Sequence, residues 1–193
     1  MTYSNRRSIR LKGYDYSSPG AYFITINIKN FYCYLGDVSE GVINLSESGK
    51  IIDRIWNEIP IRYANAFFDE YIIMPDHFHG IIWIDRACMG AGVDACTDAC
   101  TDACTDAIMK ASTDAINRVR TGGIAGNKNP MLNPLSISNI IRWFKGRSSY
   151  EIRRLPDMES FSWHGRFYEH IIRDDKSLEK IRRYIINDPV NFF

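Results

Sequence analysis

The chain has almost no excess charge of either sign. Its 24 Lys and Arg stand against 23 Asp and Glu, a formal net charge of +1 over 193 residues. Indiscriminate binding of nucleic acid over the whole surface is thereby disfavoured, and any such contact has to come from local clusters of cations. There is no run of 18 apolar residues and no signal-peptide pattern, so the expectation is a cytoplasmic protein with no membrane partner. Histidine is scarce, at 4 residues, and cysteine is limited to 5. Thiols in a reducing compartment need no partner. What is present is a 13% share of aromatic residues, which in a chain of this length supplies one sizeable core and a single domain over 1–193.

The pattern along the chain is α+β. Ala21 to Ile28 reads as a strand after the Pro19-Gly20 turn, and Gly41 to Leu45 as a short second strand. Ser46 caps a helix running to about Glu58, with Ile51, Ile52, Ile55 and Ile59 as its apolar stripe. Phe67 to Met74 and Phe78 to Ile84 form strands joined through Pro75-Asp76, an expected antiparallel pair. Ser136 to about Arg153 is a helix that turns Ile137, Ile140, Ile141 and Phe144 inward, with Trp83, Trp143 and Trp163 assigned to the core. Phe167 to Arg173 reads as an edge strand feeding a last helix over 175–187. Antiparallel strands with helices against one face fit a single layered domain.

Residues 86–134 interrupt this order. From Val93 to Ala107 the tetrapeptide Thr-Asp-Ala-Cys recurs, and Ser112-Thr113-Asp114-Ala115 echoes it. Cys88, Cys96, Cys100 and Cys104 lie here, and an i, i+4 thiolate run on a helix can take a soft metal. The plainer reading is a slipped repeat in a flexible surface insertion flanked by Gly90, Gly92, Gly122, Gly123 and Gly126.

The chemistry-bearing residues gather at two places. His77-Phe78-His79 opens a strand, so both imidazoles share one face about 7 Å apart at Cα while Phe78 enters the opposite layer. Two such imidazoles can share a metal ion, or can be ordinary sheet histidines. In the last helix Leu178, Ile181 and Ile185 form the buried stripe, and Lys180, Tyr184 and Asp188 follow at four-residue spacing on a neighbouring face if the helix persists to Pro189. A tyrosine with a carboxylate one turn away suits attack on a phosphodiester; the plain alternative is a ring packed at the core edge. Tyr168 is the rival nucleophile. Cations cluster in the arm (Arg6, Arg7, Arg10, Lys12) and over 142–183, where Arg142, Lys145, Arg166, Arg173 and Lys180 offer a basic rim. His170 and Arg173 are expected to face the site and to contact phosphate or support a ligand, against a role in holding the sheet edge. Asp76 is read as turning the chain or orienting a histidine.

The motifs Met74-Pro75-Asp76-His77-Phe78-His79-Gly80, Trp163 to Arg173 and Arg183-Tyr184-Ile185-Ile186-Asn187-Asp188-Pro189 resemble those of the single-tyrosine HUH transposases, and more closely the REP-associated tyrosine transposases. The resemblance runs from about Arg6 to Val190, apart from the insertion. It implies a ferredoxin-like antiparallel sheet with helices packed on it, of the HUH-endonuclease type. It further implies that His77 and His79 bind a metal, Mg²⁺ or Mn²⁺, and that Tyr184 is the nucleophile. Asp188 falls where the family usually has Asn or Gln as third ligand, a departure that keeps an oxygen donor and adds a negative charge. The implied partner is single-stranded or hairpin DNA, cut and rejoined through a covalent phosphotyrosine by a monomer or homodimer. The basic arm at Arg6 to Lys12 would recognise the foot of a hairpin. Two other readings share these motifs: a non-catalytic, decayed or domesticated DNA-binding protein, and a rolling-circle replication initiator, which normally brings a larger chain or a second tyrosine.

Overall fold

The computed structural model describes residues 14–85 and 136–191. Its centre is a four-stranded sheet of β1 (Gly20–Asn27), β4 (Ala66–Ile73), β5 (His77–Ile84) and β6 (Tyr168–Ile172), in the order β4-β5-β1-β6 with every pair antiparallel. This is the ferredoxin-like arrangement, with the strands first and third in chain order at the centre. The stretch Gly41 to Leu45 does not join that sheet. Its β3 (Val42–Leu45) folds back on β2 (Gly36–Ser39) as a separate hairpin of exposed and half-buried residues, with Leu45 packed against the main core.

Side-chain alternation sorts the strands into two faces. On one face Tyr22, Ile24, Ile26, Phe78, Ile82 and Ile84 meet α1 (Glu47–Asn57) and α3 (Ile137–Ile152) in the main core. Trp56 of α1, fully buried, is its centre: the ring touches those of Phe78 (4.5 Å between centroids), Phe144 (5.3 Å) and Tyr71 (5.9 Å). Gly80 makes this approach possible, because a Cβ there would lie 2.8 Å from Trp56 Cζ2. Ser46 and Ser136 cap the two helices by accepting from the Gly49 and Asn139 amides. Pro60, near the start of the short α2 (Ile59–Arg62), separates Ile59 from the α1 stripe while leaving it buried.

The opposite face carries α4 (Asp175–Asn187), so the helices lie on both sides of the sheet rather than on one. Ala21, Phe23, Ile81 and Ile172 receive Leu178 and Ile185, with Ile181 half-buried beside them. At ~1.5–3 kcal/mol for each fully buried aliphatic side chain, Leu178 and Ile185 contribute about 3–6 kcal/mol to docking the helix. A polar clamp adds direction to that modest apolar seat. Arg182 donates through Nε and Nη2 to both oxygens of Asp69 (3.0 and 2.5 Å), and Trp83 Nε1 donates to Asp69 at 3.3 Å. A register shift between Phe68 and Tyr71 makes this compatible with the core: the extra residue keeps both aromatics on the main face while Asp69 turns to α4. Burial works against ionised Asp69, but Arg182, Trp83 and the Glu70 amide outweigh it and hold the carboxyl below its usual range. Among the described residues no helix is long and apolar enough to cross a membrane.

Candidate active site

β5 begins at His77, and strand alternation aims His77 and His79 at the α4 side while Phe78 is sealed in the main core. Asp174 caps α4 by accepting from the Ser177 amide, and the helix runs unbroken to Asn187. Asp188 keeps helical angles (φ −58°, ψ −40°) and opens the terminal 3₁₀ turn Asp188–Asn191, so Tyr184 and Asp188 share one face. These two elements, 105 residues apart at the Tyr184–His79 contact, bring four side chains together.

Asp188 Oδ2 lies 3.2 Å from His77 Nε2 and 3.7 Å from His79 Nε2. One ligand atom each from His77, His79 and Asp188 falls within 4.8 Å of the others. Three donors on one face of an octahedral ion with bonds of ~2.1 Å stand about 3.0 Å apart; Asp188 Oδ2 is near that spacing from both imidazoles, and the two imidazole donors, within 4.8 Å, would draw closer to share one ion. The other ring nitrogens are already held. Asp76 Oδ1 is 2.6 Å from His77 Nδ1, and Thr25 Oγ1 is 2.8 Å from His79 Nδ1. With Nδ1–H donating to each oxygen, both Nε2 lone pairs point to the shared centre, the arrangement that fixes ligating histidines. Asp76 thus orients a histidine, as its place in the turn predicts.

Electrostatics divides the two imidazoles. Burial, reinforced by neighbouring His77, pushes His79 down to about 4, so it is neutral at pH 7. Burial opposes protonation of His77 as well, but Asp188 and Asp76 outweigh it and hold its pKa above the ordinary value. Tyr184 Oη stands 3.4 Å from His79 Nε2, with half of the residue's surface exposed. Burial and then the Asp188 charge raise its pKa above that of a free phenol. Phe23 organises the rings: it stacks on His79 (5.3 Å, 25°) and meets Tyr184 edge-on (6.1 Å, 89°). The alternation Ala21, Phe23, Thr25 along β1 was the available signal for Phe23 and Thr25. It becomes informative only once β1 is known to lie beside β5, with Thr25 opposite His79.

Tyr168 pairs with Thr25 on the far side of β1, so its Cα is two strand spacings, ~10 Å, from that of His79. His170 is on the site face, opposite Phe23, and exposed. Arg173 is exposed one residue beyond the end of β6, outside the strand that places His170. Arg142 and Lys145 belong to α3, behind the sheet, and Lys145 Nζ donates to the His164 carbonyl at 2.7 Å. Burial lowers Lys145 to about 8. Arg166 is exposed in the loop before β6, and Lys180 lies on the outer side of α4 with Lys176, Glu179 and Arg183. Arg6, Arg7, Arg10, Lys12 and the insertion at 86–134 lie outside the described residues, save that Ser136 onward resumes the fold.

No protein-family model matches the chain. An uncharacterized protein of Haemophilus influenzae is 34% identical over 186 residues, covering 96% of this chain and 89% of that protein. Among solved structures, that of a REP-associated tyrosine transposase bound to a REP hairpin superposes with a TM-score of 0.52 at 17% identity, covering 98% of this chain and 74% of the other. That likeness shows a shared fold: an antiparallel sheet with helices packed on it.

Proposed function

The chain belongs to the same family as the Haemophilus influenzae protein, and we propose that it is a metal-dependent transposase acting on single-stranded, hairpin-containing DNA through Tyr184. The observation that carries this reading is the convergence, on one face of the sheet, of a two-histidine, one-carboxylate donor set with an exposed tyrosine hydroxyl 3.4 Å from one of the histidines. A hairpin substrate is supported by the fold shared with a transposase whose solved complex holds a REP hairpin.

His77, His79 and Asp188 would hold Mg²⁺ or Mn²⁺ through two Nε2 atoms and one carboxylate oxygen. When bound, such an ion supplies Lewis-acid polarisation of a phosphodiester oxygen and offsets the charge of Asp188. Tyr184 Oη attacks phosphorus in line with the departing 3′ oxygen: the Oη–P bond forms, the P–O3′ bond breaks, and a 5′-phosphotyrosine and a 3′-hydroxyl result. The phenolic proton leaves to solvent, since half of the Tyr184 surface is open and the lone pair of neutral His79 is directed to the metal position. Attack by another 3′-hydroxyl reverses the step and joins strands without an external energy source. Thr25 and Asp76 keep both imidazoles in the tautomer that leaves Nε2 free, and Phe23 sets the angle between His79 and Tyr184.

The test is incubation of the protein with end-labelled hairpin oligonucleotides and Mn²⁺, resolved on a denaturing gel. A protein-linked band and a shortened strand ending in a 3′-hydroxyl are expected. Hairpin binding with neither product at any metal concentration would favour the non-catalytic DNA-binding reading.

A further inference from the structure

We propose that the recess formed by Lys29, Asn30, Tyr32, Tyr34, Ser160 and Ser162 holds an unpaired nucleotide of the DNA strand engaged at the tyrosine site, a proposal that rests on the function proposed above. The recess has a volume of about 340 Å³, within the range of small-ligand pockets. Its chemistry suits a nucleotide: two aromatic rings for the base, amide and hydroxyl groups for its edge, and one cation for the phosphate. Lys29 makes no ion pair among the described residues, so its charge is free for an anion.

Its position ties it to the site. Asn27 is the cross-strand partner of His77, and Lys29 lies two residues further along, at most ~7 Å at Cα. The Ile28 amide donates to the carbonyl of Asp76, the residue that orients His77, and the Lys29 amide donates to Ser162 across the recess. The wall is therefore built on the same backbone that sets the metal end of the sheet.

The conformation of that wall gives an independent argument. Asn30 (φ 63°) and Phe31 (φ 55°) are consecutive left-handed residues without being glycine. Asn visits this region routinely, but for Phe31 such backbone costs on the order of 1–3 kcal/mol and gathers at ligand clamps. Internal packing of the aromatic side chains does not offset that cost, because Phe31 is 64% exposed and Tyr32 53% exposed. Tyr34 is anchored instead: its ring meets Tyr32 at 5.4 Å and Phe161 at 5.9 Å, which leaves Tyr32 as the outer, accessible platform.

The experiment uses the full chain without metal and a DNA hairpin whose single-stranded tail carries 2-aminopurine at each position in turn. Quenching at one or two adjacent tail positions is expected, with loss of that quenching and about tenfold weaker binding in Tyr32→Ala. Tyr32→Phe should retain the quenching, and Lys29→Ala should reduce the salt slope of binding by ~0.7, the value for one phosphate on a single strand. Absence of a quenched position, persistence of quenching in Tyr32→Ala, or quenching only in an RNA tail would overturn the proposal. Cleavage without quenching removes the recess and keeps the tyrosine chemistry. Quenching without metal-dependent cleavage keeps the recess as a DNA site and removes the chemistry.

Discussion

Replacing Asp188 with alanine removes one of three converging donors, and the structure allows its effect to be separated into parts. The backbone is spared, because the Asp188 amide, not its side chain, closes the end of α4 on the Ile185 carbonyl. The loss therefore falls on the metal position, where Oδ2 stands 3.2 and 3.7 Å from the two Nε2 atoms. Groups that only orient a ligand are worth 10–100-fold in metal affinity, so removing a ligand should cost at least ~100-fold, equivalent to about 2.7 kcal/mol. A second effect opposes it. Asp188 helps hold the His77 pKa above its ordinary value, so its removal lowers the proton's competition with metal. That offset vanishes once His77 is deprotonated in both proteins, so the comparison is repeated at rising pH until the ratio of affinities no longer changes. Mn²⁺ titration followed by electron paramagnetic resonance, with cleavage measured across the same concentrations, reads both quantities. Asp188→Asn keeps an oxygen donor without the charge that raises the Tyr184 pKa, and should retain or exceed parental cleavage at saturating Mn²⁺. Metal-free hairpin binding should change little in either variant. An Asp188→Ala protein that binds Mn²⁺ and cleaves within twofold of the parent would refute the reasoning and reduce Asp188 to a partner of His77.

Thr25→Val keeps the side-chain shape but removes the oxygen 2.8 Å from His79 Nδ1; Mn²⁺ affinity should fall about tenfold and recover in Thr25→Ser, and an unchanged titration would contradict the orienting role. Gly80→Ala places a Cβ 2.8 Å from Trp56 Cζ2 and 3.0 Å from Phe78, deep in the main core, so unfolding should cost ~1–3 kcal/mol less and the Tm should drop by roughly 2–12 °C. A Tm within 1 °C of the parent, to within about the error of calorimetry, would show that the rings yield. Asp69→Asn weakens the clamp on α4. The folded carboxyl titrates below its unfolded value, so its contribution is present above pH ~4 and fades as pH falls through the folded pKa. Urea midpoints of parent and variant should differ at pH 7 and converge under acid; a gap that widens on acidification would reverse the assignment.

The strands and helices were legible because strong turn residues bound the four strands and Ser46, Ser136 and Asp174 open the helices, each capping in the structure, whereas the ferredoxin-like order came from the family resemblance. The His77-x-His79 spacing and the Tyr184-x3-Asp188 spacing each specify a face, and the structure sets those faces against one another. Periodicity does not say on which side of a sheet a helix docks, so the placement of α4 opposite α1 and α3 was not legible. Phe23 and Thr25 were hidden for a related reason: their importance comes from strand order, a nonlocal property. Among the described residues, the cations of the expected basic rim do not all lie on the site face. Charge along the chain says nothing about layer, and Arg142 and Lys145 fall behind the sheet while Lys180 faces outward on α4. Trp56, the centre of the core, lies one residue beyond Ile55 in the stripe, and only the space left by Gly80 makes it central.

The central claim is that Tyr184 is the atom donor in a covalent DNA linkage, and mass spectrometry of the protein after reaction with a hairpin oligonucleotide and Mn²⁺ tests it directly. Proteolysis should yield one nucleotide-bearing peptide, fragmenting with the phosphate on Tyr184, and Tyr184→Phe should bind the hairpin as the parent does but yield none. An adduct mapped to Tyr168, or an undiminished adduct in Tyr184→Phe, would contradict the account and move the nucleophile to β6.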